Sequence, residues 1–347
     1  MSNNKDQKIR LAITHGDLNG VGYEVILKTF ADQRMFDFCI PVLYGSSKVA
    51  SYHKKLLTSV QQEFQFSTIR DAADALPGRY NIINLTQDEI KIDLGKSTEI
   101  AGALSRESLG RACADLKDGK VDVLVTAPIN KRNIQAPDFD FPGHTEYLSH
   151  QFGSSSLMLM VCDRIRIGIV TNHLALKDVP AALTHDLLTE KLTLLNQSLK
   201  QDFGITTPKI AVLALDPHAG DNGVIGDFDQ RVIRPVIDEA QARGILAYGP
   251  FPSDGFFGSS EFNKFDGVLA LYHDQGLIPF KLMSFTEGVN YTAGLPYVRT
   301  SPAHGTGYDI AGHDCASEQS FRSAVYLACN ILRKRREYAE LTADPLK

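Results

Sequence analysis

The sequence predicts an α/β fold built mostly from parallel strands. Short apolar runs, which are typical of buried strands, alternate along the chain with longer segments of helical periodicity. Such alternation favours parallel sheets joined by right-handed crossover helices. The chain has 347 residues, of which 43% are hydrophobic and 22% are charged. This length and composition indicate a globular protein of one large or two ordinary domains.

The elements follow from these runs in chain order. Apolar runs predict strands at residues 9–14, 40–44, 80–84, 121–126, 157–161, 166–171, 210–215 and 267–272. Helical spacing of apolar residues predicts helices at residues 23–30, 48–57, 102–118, 185–203, 229–244 and 317–340. Thr184, followed by His185 and Asp186, is typical of a helix N-terminus. The Pro/Gly-rich segment 249–255 is predicted to be the clearest loop.

Charge and cysteine content exclude several classes of protein. The net charge is −5 and the isoelectric point is about 6.1, and basic residues do not accumulate, so neither nucleic acid nor a membrane is an expected partner. The polar start, residues 1–8, lacks the apolar core of a signal peptide, and apolar runs of membrane-spanning length are absent. Five cysteines without a Cys-x-x-Cys pair predict reduced thiols and a cytoplasmic protein.

Three histidines follow predicted strands. His173, His218 and His273 each lie just beyond an apolar run and among small or polar residues. Parallel sheets bind ligands beyond the carboxyl ends of their strands, and neutral imidazoles bind divalent transition metals. One such histidine is more often an ordinary loop or core residue. The repeated placement favours a metal site with coordination positions open to substrate.

Glycine-rich loops and basic residues add candidate anion sites. Loops at residues 15–22, 216–227 and 301–312 are rich in glycine, and a strand–glycine loop–helix arrangement can offer backbone N–H groups to an anion. The first loop lacks the dinucleotide and P-loop spacings, so a structural turn is an equal alternative. Lys281 and Arg299 are suited to phosphate or carboxylate. Taken singly, each could be a solvated surface charge.

Several segments together resemble one enzyme family. They are Thr126-Ala-Pro-Ile-Asn-Lys131, Gly143-His-Thr-Glu146, Thr171-Asn-His-Leu-Ala-Leu176, Asp216-Pro-His-Ala-Gly220, Ala270-Leu-Tyr-His-Asp-Gln-Gly276, Gly294-Leu-Pro-Tyr-Val-Arg-Thr-Ser301 and His304-Gly-Thr306. By these segments, which span nearly the whole chain in family order, the sequence resembles the 4-hydroxythreonine-4-phosphate dehydrogenase family of vitamin B6 biosynthesis.

The resemblance implies an architecture. It implies a two-domain α/β fold of the isocitrate/isopropylmalate dehydrogenase type, with mostly parallel sheets and an interdomain cleft. On this basis we expect a discontinuous cofactor-side domain, residues 1–130 with 276–347, and a metal, substrate and dimerisation domain, residues 131–275. The resemblance also implies a homodimer that shares its active sites, with His273 facing His173 and His218 from the opposite subunit.

The resemblance also implies ligands. By matching positions, the metal ligands are His173, His218 and His273, and the substrate contacts are His144, Thr145, Lys281, Asn290 and Arg299. The segment from His304 resembles the adenine-side cofactor loop of β-decarboxylating dehydrogenases, which makes His304, Gly305, Thr306 and Asp309 candidates to bind NAD or NADP. Three imidazoles suit zinc, with magnesium, cobalt, nickel or manganese as alternatives.

The implied reaction is oxidation of 4-phosphohydroxy-L-threonine to 2-amino-3-oxo-4-phosphooxybutanoate, which decarboxylates to 3-amino-2-oxopropyl phosphate in pyridoxal 5′-phosphate biosynthesis. Lys281 is the catalytic candidate, for proton transfer or charge neutralisation. Two departures from the family pattern concern the cofactor side: the altered loop between Gly16 and Gly22, and Ala303 where an Asp is common. A sugar-acid 4-phosphate such as D-threonate 4-phosphate is an alternative substrate. A metal-dependent hydrolase of a phosphorylated metabolite and a non-catalytic metabolite-binding protein are alternatives of other classes.

Overall fold

The chain forms two compact units. The computed structural model describes residues 8–60, 65–137 and 139–343, so most of the polar start lies outside the described residues. Unit 1 comprises the described residues up to Tyr147 together with Tyr297–Leu332, and unit 2 comprises Leu148–Pro296 and the described residues from Arg333 onward. The functional division expected from the sequence, residues 1–130 with 276–347 and residues 131–275, stays a prediction.

Strands and helices alternate along most of the chain. The strands are β1 (Ile9–Thr14), β2 (Cys39–Gly45), β3 (Phe66–Ile69), β4 (Tyr80–Asn84), β5 (Val123–Thr126), β6 (Leu157–Val161), β7 (Arg166–Thr171), β8 (Lys209–Leu213), β9 (Leu246–Phe251), β10 (Gly267–Tyr272), β11 (Val289–Ala293) and β12 (Val298–Pro302). The α-helices are α1 (Gly22–Ala31), α2 (Met35–Phe38), α3 (Ser47–Leu56), α4 (Glu99–Lys117), α5 (His144–Phe152), α6 (Val179–Ala182), α7 (His185–Gln201), α8 (Arg234–Ala242), α9 (Ser253–Gly258), α10 (His273–Met283) and α11 (Gln319–Thr342). None of the helices among the described residues is long and apolar enough to cross a membrane.

Unit 1 is organised around parallel strands in the order β3-β4-β2-β1-β5-β12. Its central strands are buried along their whole length, as in β2 and β5, because helices cover both faces of such a sheet. The Thr98 side chain accepts a hydrogen bond from the Ala101 backbone N–H and so caps α4. The carboxyl ends of β1, β5 and β12 lie at one edge, which carries the candidate binding loops of this unit.

Unit 2 has strands in the order β11-β6-β7-β10-β8-β9. The strands from β7 to β9 are parallel, whereas β6 is antiparallel to both β7 and β11. Helix α7 begins where the sequence predicts, because the Thr184 side chain accepts a hydrogen bond from the Leu187 N–H. Neighbouring parallel strands β7, β10 and β8 place their carboxyl ends at one edge, and each of the three candidate metal histidines follows one of these strands.

The predicted α/β class with mostly parallel strands is confirmed, but one predicted loop is wrong. Residues 249–255 contain the end of β9 and the start of α9 rather than a loop. Strand β9 pairs only with β8 among the described residues, with a register shift between Ala211 and Leu213. An edge strand tolerates proline because the proline needs no ladder hydrogen bond on its open side. The predicted helix 229–244 begins as a π-helical turn before α8.

A stack of buried aromatic rings in unit 1 contains two histidines. Tyr23 lies between His15, with ring centroids 5.3 Å apart, and His53, with centroids 5.1 Å apart. Burial lowers the pKa of both His15 and His53 from 6.5 to about 4. Both imidazoles are therefore neutral in the folded protein, and the unfolded chain binds protons more readily below pH 6.5.

Acidification from pH 7 to pH 5 is expected to lower the free energy of unfolding by about 2 kcal/mol for each of these two histidines. The stabilisation is present above pH 6.5 and is lost as the pH falls toward the folded pKa. Urea unfolding at both pH values measures this effect. In His53→Gln, the decrease in unfolding free energy between pH 7 and pH 5 should be smaller than in wild type by about 2 kcal/mol. His313→Gln, which changes an exposed histidine, is the control. Equal pH dependence in wild type and His53→Gln would contradict the assignment.

Candidate functional site

Unit 2 brings two of the three predicted metal ligands together. The rings of His173 and His273 lie 6.3 Å apart, centroid to centroid, beside a cavity of about 340 Å³. The Asp274 carboxylate lies 2.7 Å from Nδ1 of His273. A carboxylate on one ring nitrogen fixes the tautomer and leaves Nε2 to a metal. The two imidazoles therefore supply two candidate nitrogen donors for a divalent transition metal at this edge.

His218 is not gathered with the other two histidines. Within residues 8–60, 65–137 and 139–343, no group of three His, Cys, Asp or Glu side chains could hold a metal ion. His218 follows β8 and is exposed. One chain thus supplies a pair of close imidazoles and a third imidazole set apart from them.

The backbone that carries His218 is left-handed. His218, Ala219, Asp221 and Asn222 have φ between 44° and 54°, and Gly220 between them has φ of 77°. A left-handed conformation costs a non-glycine residue roughly 1–2 kcal/mol. The entrance to the turn is held by Asp229, whose buried carboxylate accepts hydrogen bonds from the backbone N–H groups of Leu215 and Asp216. Backbone strain of this kind concentrates at functional sites.

Unit 1 contains a buried basic group between β5 and β12. Arg299, on β12, is 2% exposed and donates from Nε and from one terminal nitrogen to Oγ1 of Thr126, at 3.1 and 2.6 Å. Burial lowers the pKa of Arg299 to about 9, and the charge of Glu146 opposes that shift. Arg299 is thus a desolvated cation in a fixed orientation, which is a suitable environment for an anion.

His144 and Thr145 begin α5 in the same unit. Burial, together with the charges of Arg299 and Lys131, lowers the pKa of His144 well below 6.5, so the ring is neutral near pH 7. Its Nε2 is buried without a hydrogen-bond partner. Thr145 is also buried. The structure therefore places His144 and Arg299 close enough for the Arg299 charge to influence the pKa of His144.

Lys281 and Asn290 belong to unit 2. Lys281 is exposed near the end of α10, about 12 Å along the helix axis from His273 at 1.5 Å per residue. Asn290, on β11, is half-buried, and its Oδ1 is buried without a hydrogen-bond partner. An unsatisfied buried acceptor in a native protein is a candidate ligand contact.

The predicted cofactor loop packs against the first glycine loop of unit 1. The Val21 N–H donates to the Thr306 carbonyl at 2.9 Å, and a Cβ on Gly20 would collide with that carbonyl. His304 has a buried Nε2 without a hydrogen-bond partner, and burial lowers the pKa of this histidine. The orphaned ring nitrogen and the close backbone packing fit a loop that holds a polar ligand.

Four residues near these groups were not predicted from the sequence. Thr126, Lys131 and Glu146 surround Arg299 and His144. Tyr308 lies inside the cofactor loop and donates to Asp17. The available signal for Thr126, Lys131 and Glu146 was their presence in the segments that carry the family resemblance. Tyr308 lies just beyond the last of these segments, and its partner Asp17 is far away along the chain.

Comparison with known proteins identifies the family. The family described as pyridoxal phosphate biosynthetic protein PdxA matches residues 37–328. A protein of Bacteroides thetaiotaomicron named 4-hydroxythreonine-4-phosphate dehydrogenase is 48% identical over 345 residues, which cover 99% of this chain and 94% of that protein. A protein of the same name from Sulfurihydrogenibium sp. is 39% identical and covers 94% of this chain and 100% of its own length.

Solved structures agree with the sequence comparison. The 4-hydroxythreonine-4-phosphate dehydrogenase of Klebsiella pneumoniae superposes with a TM-score of 0.81 at 31% identity, covering 95% of this chain and 99% of that chain. The enzyme of the same name from Burkholderia phymatum gives a TM-score of 0.76 at 33% identity, covering 94% and 99%. A resemblance first carried by short motifs therefore extends to the whole fold. This chain belongs to the pyridoxal phosphate biosynthetic protein PdxA family.

Proposed function

We propose that this oxidoreductase oxidises 4-phosphohydroxy-L-threonine to 2-amino-3-oxo-4-phosphooxybutanoate, which loses CO₂ to give 3-amino-2-oxopropyl phosphate for pyridoxal 5′-phosphate synthesis. The observation that carries the proposal is 48% identity, over 99% of this chain, to a relative named 4-hydroxythreonine-4-phosphate dehydrogenase. The buried cation Arg299 beside neutral His144 supports it, because a phosphorylated amino acid needs a desolvated cation and nearby hydrogen-bonding groups.

The metal would be held by His173, His218 and His273, with zinc best suited to three imidazoles and magnesium, cobalt, nickel or manganese as alternatives. When bound, a divalent ion acts as a Lewis acid that makes a coordinated hydroxyl easier to deprotonate. In the chain itself, Asp274 orients His273 through Nδ1, and the left-handed turn presents His218.

We further propose that two subunits complete each metal site. One chain lacks a group of three ligands among its described residues, and the resemblance assigns His273 to the subunit opposite His173 and His218. Exposed apolar side chains of unit 2 support an interface near these histidines: Leu174, Leu176, Ile278, Leu282 and Phe285 are between 43% and 84% exposed. Large exposed apolar side chains in adjacent segments mark interaction surfaces.

The remaining residues have separate proposed roles. Arg299, His144 and Thr145 would bind an anionic end of the substrate, with neutral His144 offering Nε2 as a hydrogen-bonding atom. Asn290 would contact the substrate through Oδ1, which is buried without a partner. Lys281 would neutralise substrate charge or transfer a proton. His304, Gly305, Thr306 and Asp309 would hold NAD or NADP, which accepts the hydride.

The proposed compartment is the cytoplasm. None of the five cysteines forms a disulfide in the part of the chain that the structure describes, and Cys39, Cys113 and Cys329 are buried. Burial raises the pKa of Cys113 to about 12, which keeps this thiol protonated and unreactive. Reduced, buried thiols are typical of proteins in a reducing compartment.

A dehydrogenase assay tests the reaction. Purified protein is mixed with NAD or NADP, a divalent metal and 4-phosphohydroxy-L-threonine, and absorbance at the wavelength of the reduced nicotinamide is followed. We expect reduced nicotinamide and CO₂ in equal amounts, because oxidation at C3 produces a β-keto acid. D-threonate 4-phosphate, run in parallel, should be a poorer substrate.

Two outcomes would contradict the proposal. Release of inorganic phosphate without reduced nicotinamide would assign the protein to metal-dependent hydrolysis. Faster oxidation of D-threonate 4-phosphate than of 4-phosphohydroxy-L-threonine would support the dehydrogenase reaction but show that the proposed substrate is wrong. The control is protein stripped with a chelator and then restored with each metal, because only a site that uses the metal regains activity on addition.

A further inference from the structure

Asp17 is a buried carboxylate held by neutral donors. It lies in the loop between β1 and α1 and is 0% exposed. Its Oδ1 accepts from the Asn19 N–H at 2.9 Å, and its Oδ2 accepts from Nδ2 of Asn133 at 2.8 Å and from the Tyr308 hydroxyl at 2.7 Å. Burying a carboxylate is costly unless it is hydrogen-bonded, so this group ties together the segments that supply its donors.

The Tyr308 hydroxyl is the centre of that connection. It donates to Asp17 and accepts from Nδ2 of Asn130 at 3.0 Å. Burial, followed by the hydrogen bond to Asp17, raises the pKa of Tyr308 to about 12, so the hydroxyl keeps its proton and remains a donor. Loops at residues 15–22, 128–133 and 304–310 thus converge on one hydroxyl.

Backbone contacts also join these loops near Tyr308. The Val21 N–H donates to the Thr306 carbonyl at 2.9 Å, and the Asp17 N–H donates to the Pro128 carbonyl at 2.8 Å. A Cβ on Gly95 would collide with the Tyr308 carbonyl. The Tyr308 side chain is thus hydrogen-bonded to Asp17 while its carbonyl packs closely against Gly95.

We propose that Asp17 and Tyr308 are positioning residues that fix the loop 304–309 for the nicotinamide cofactor. This inference rests on the proposed function, which assigns cofactor binding to that loop. Neither side chain is required to touch the cofactor. A loop fixed before binding loses less conformational freedom when the cofactor binds, so its affinity is higher.

Tyr308→Phe tests the proposal because it removes one hydroxyl and keeps the ring. We expect the dissociation constant and the KM for NAD or NADP to rise on the order of tenfold, as a buried acceptor loses a donor, while kcat changes less than about twofold. Calorimetric titration gives the dissociation constant without turnover. Steady-state kinetics separate KM from kcat.

Tyr44→Phe is the matched control. Tyr44 donates to the buried carboxylate of Asp115 at 2.9 Å in the same unit, between β2 and α4 and outside the cofactor loop. Tyr44→Phe and Tyr308→Phe should both lower the unfolding temperature, because each removes a donor from a buried carboxylate. Tyr44→Phe should leave the affinity for NAD or NADP unchanged. An unchanged dissociation constant in Tyr308→Phe, or an equal rise in both variants, would overturn the inference. Wild-type protein that binds neither NAD nor NADP would overturn the proposed function and this inference with it.

Discussion

A mixture of the His173→Ala and His273→Ala variants is expected to recover about a quarter of wild-type activity, although each variant alone loses nearly all of it. Random exchange makes roughly half of the dimers mixed, and in each mixed dimer one site collects both changes while the other collects none. Each pure variant lacks one ligand at every site, so bound metal should fall with activity. Mass spectrometry confirms exchange, and elemental analysis measures metal.

The structure makes this experiment decisive because His173 and His273 of one chain lie close together, with ring centroids 6.3 Å apart. If both belong to the same site within one subunit, confirmed exchange will restore nothing and the shared-site proposal is wrong. His185→Ala is the control in the same unit, since His185 is partly exposed and pairs with Glu239 at the surface. Its metal content and activity should match those of wild type.

Arg299→Ala is expected to lower the free energy of unfolding by about 3–5 kcal/mol, because it removes a buried cation and leaves the Glu146 charge without it. It should also raise KM for the phosphorylated substrate at least about thirtyfold, which corresponds to about 2 kcal/mol of lost binding. Urea unfolding and steady-state kinetics measure the two effects. A KM equal to that of wild type would exclude Arg299 from substrate binding.

Arg335→Ala is the control for Arg299→Ala, because it should lower stability without removing a substrate contact. Arg335 donates from Nε to the buried carboxylate of Asp202 at 2.6 Å and also contacts the Tyr291 hydroxyl, in unit 2. Its loss should destabilise the protein by a similar amount, yet leave KM for the substrate unchanged. A rise of KM in both variants would show that reduced stability, rather than a lost contact, weakens binding.

Five strands could be predicted from the sequence to the residue. Strands β1, β4, β6, β7 and β10 match their predicted bounds, since each contains apolar residues that are buried in the core. Strands β11 and β12 were not predicted because polar residues such as Asn290 and Arg299 interrupt their apolar runs. Burial of these polar residues depends on neighbours that a local pattern does not reveal.

For the candidate site, the sequence indicates residue types and their position after strands, whereas the arrangement of the side chains depends on the tertiary structure. The placement of His173, His218 and His273 after strands follows from apolar runs alone, and the structure confirms that placement. The left-handed turn at His218 has only a weak signal in the sequence, because Gly220, Asp221 and Asn222 tolerate this conformation but Ala219 rarely adopts it. The contact of Arg299 with Thr126 joins residues 173 positions apart, and local spacing cannot indicate it.

That separation also sets an order of events during synthesis. Strand β12 pairs with β5 through Arg299 and Leu124, so the sheet of unit 1 cannot be completed until the chain has passed through nearly all of unit 2. At about 5–20 residues per second, β5 waits roughly 9–35 s for its neighbour after it leaves the ribosome. During that interval the apolar edge of β5 can pair with another chain. Nascent protein is therefore most exposed to aggregation before residue 302 emerges, and chaperones that cover strand edges should raise the yield of folded enzyme.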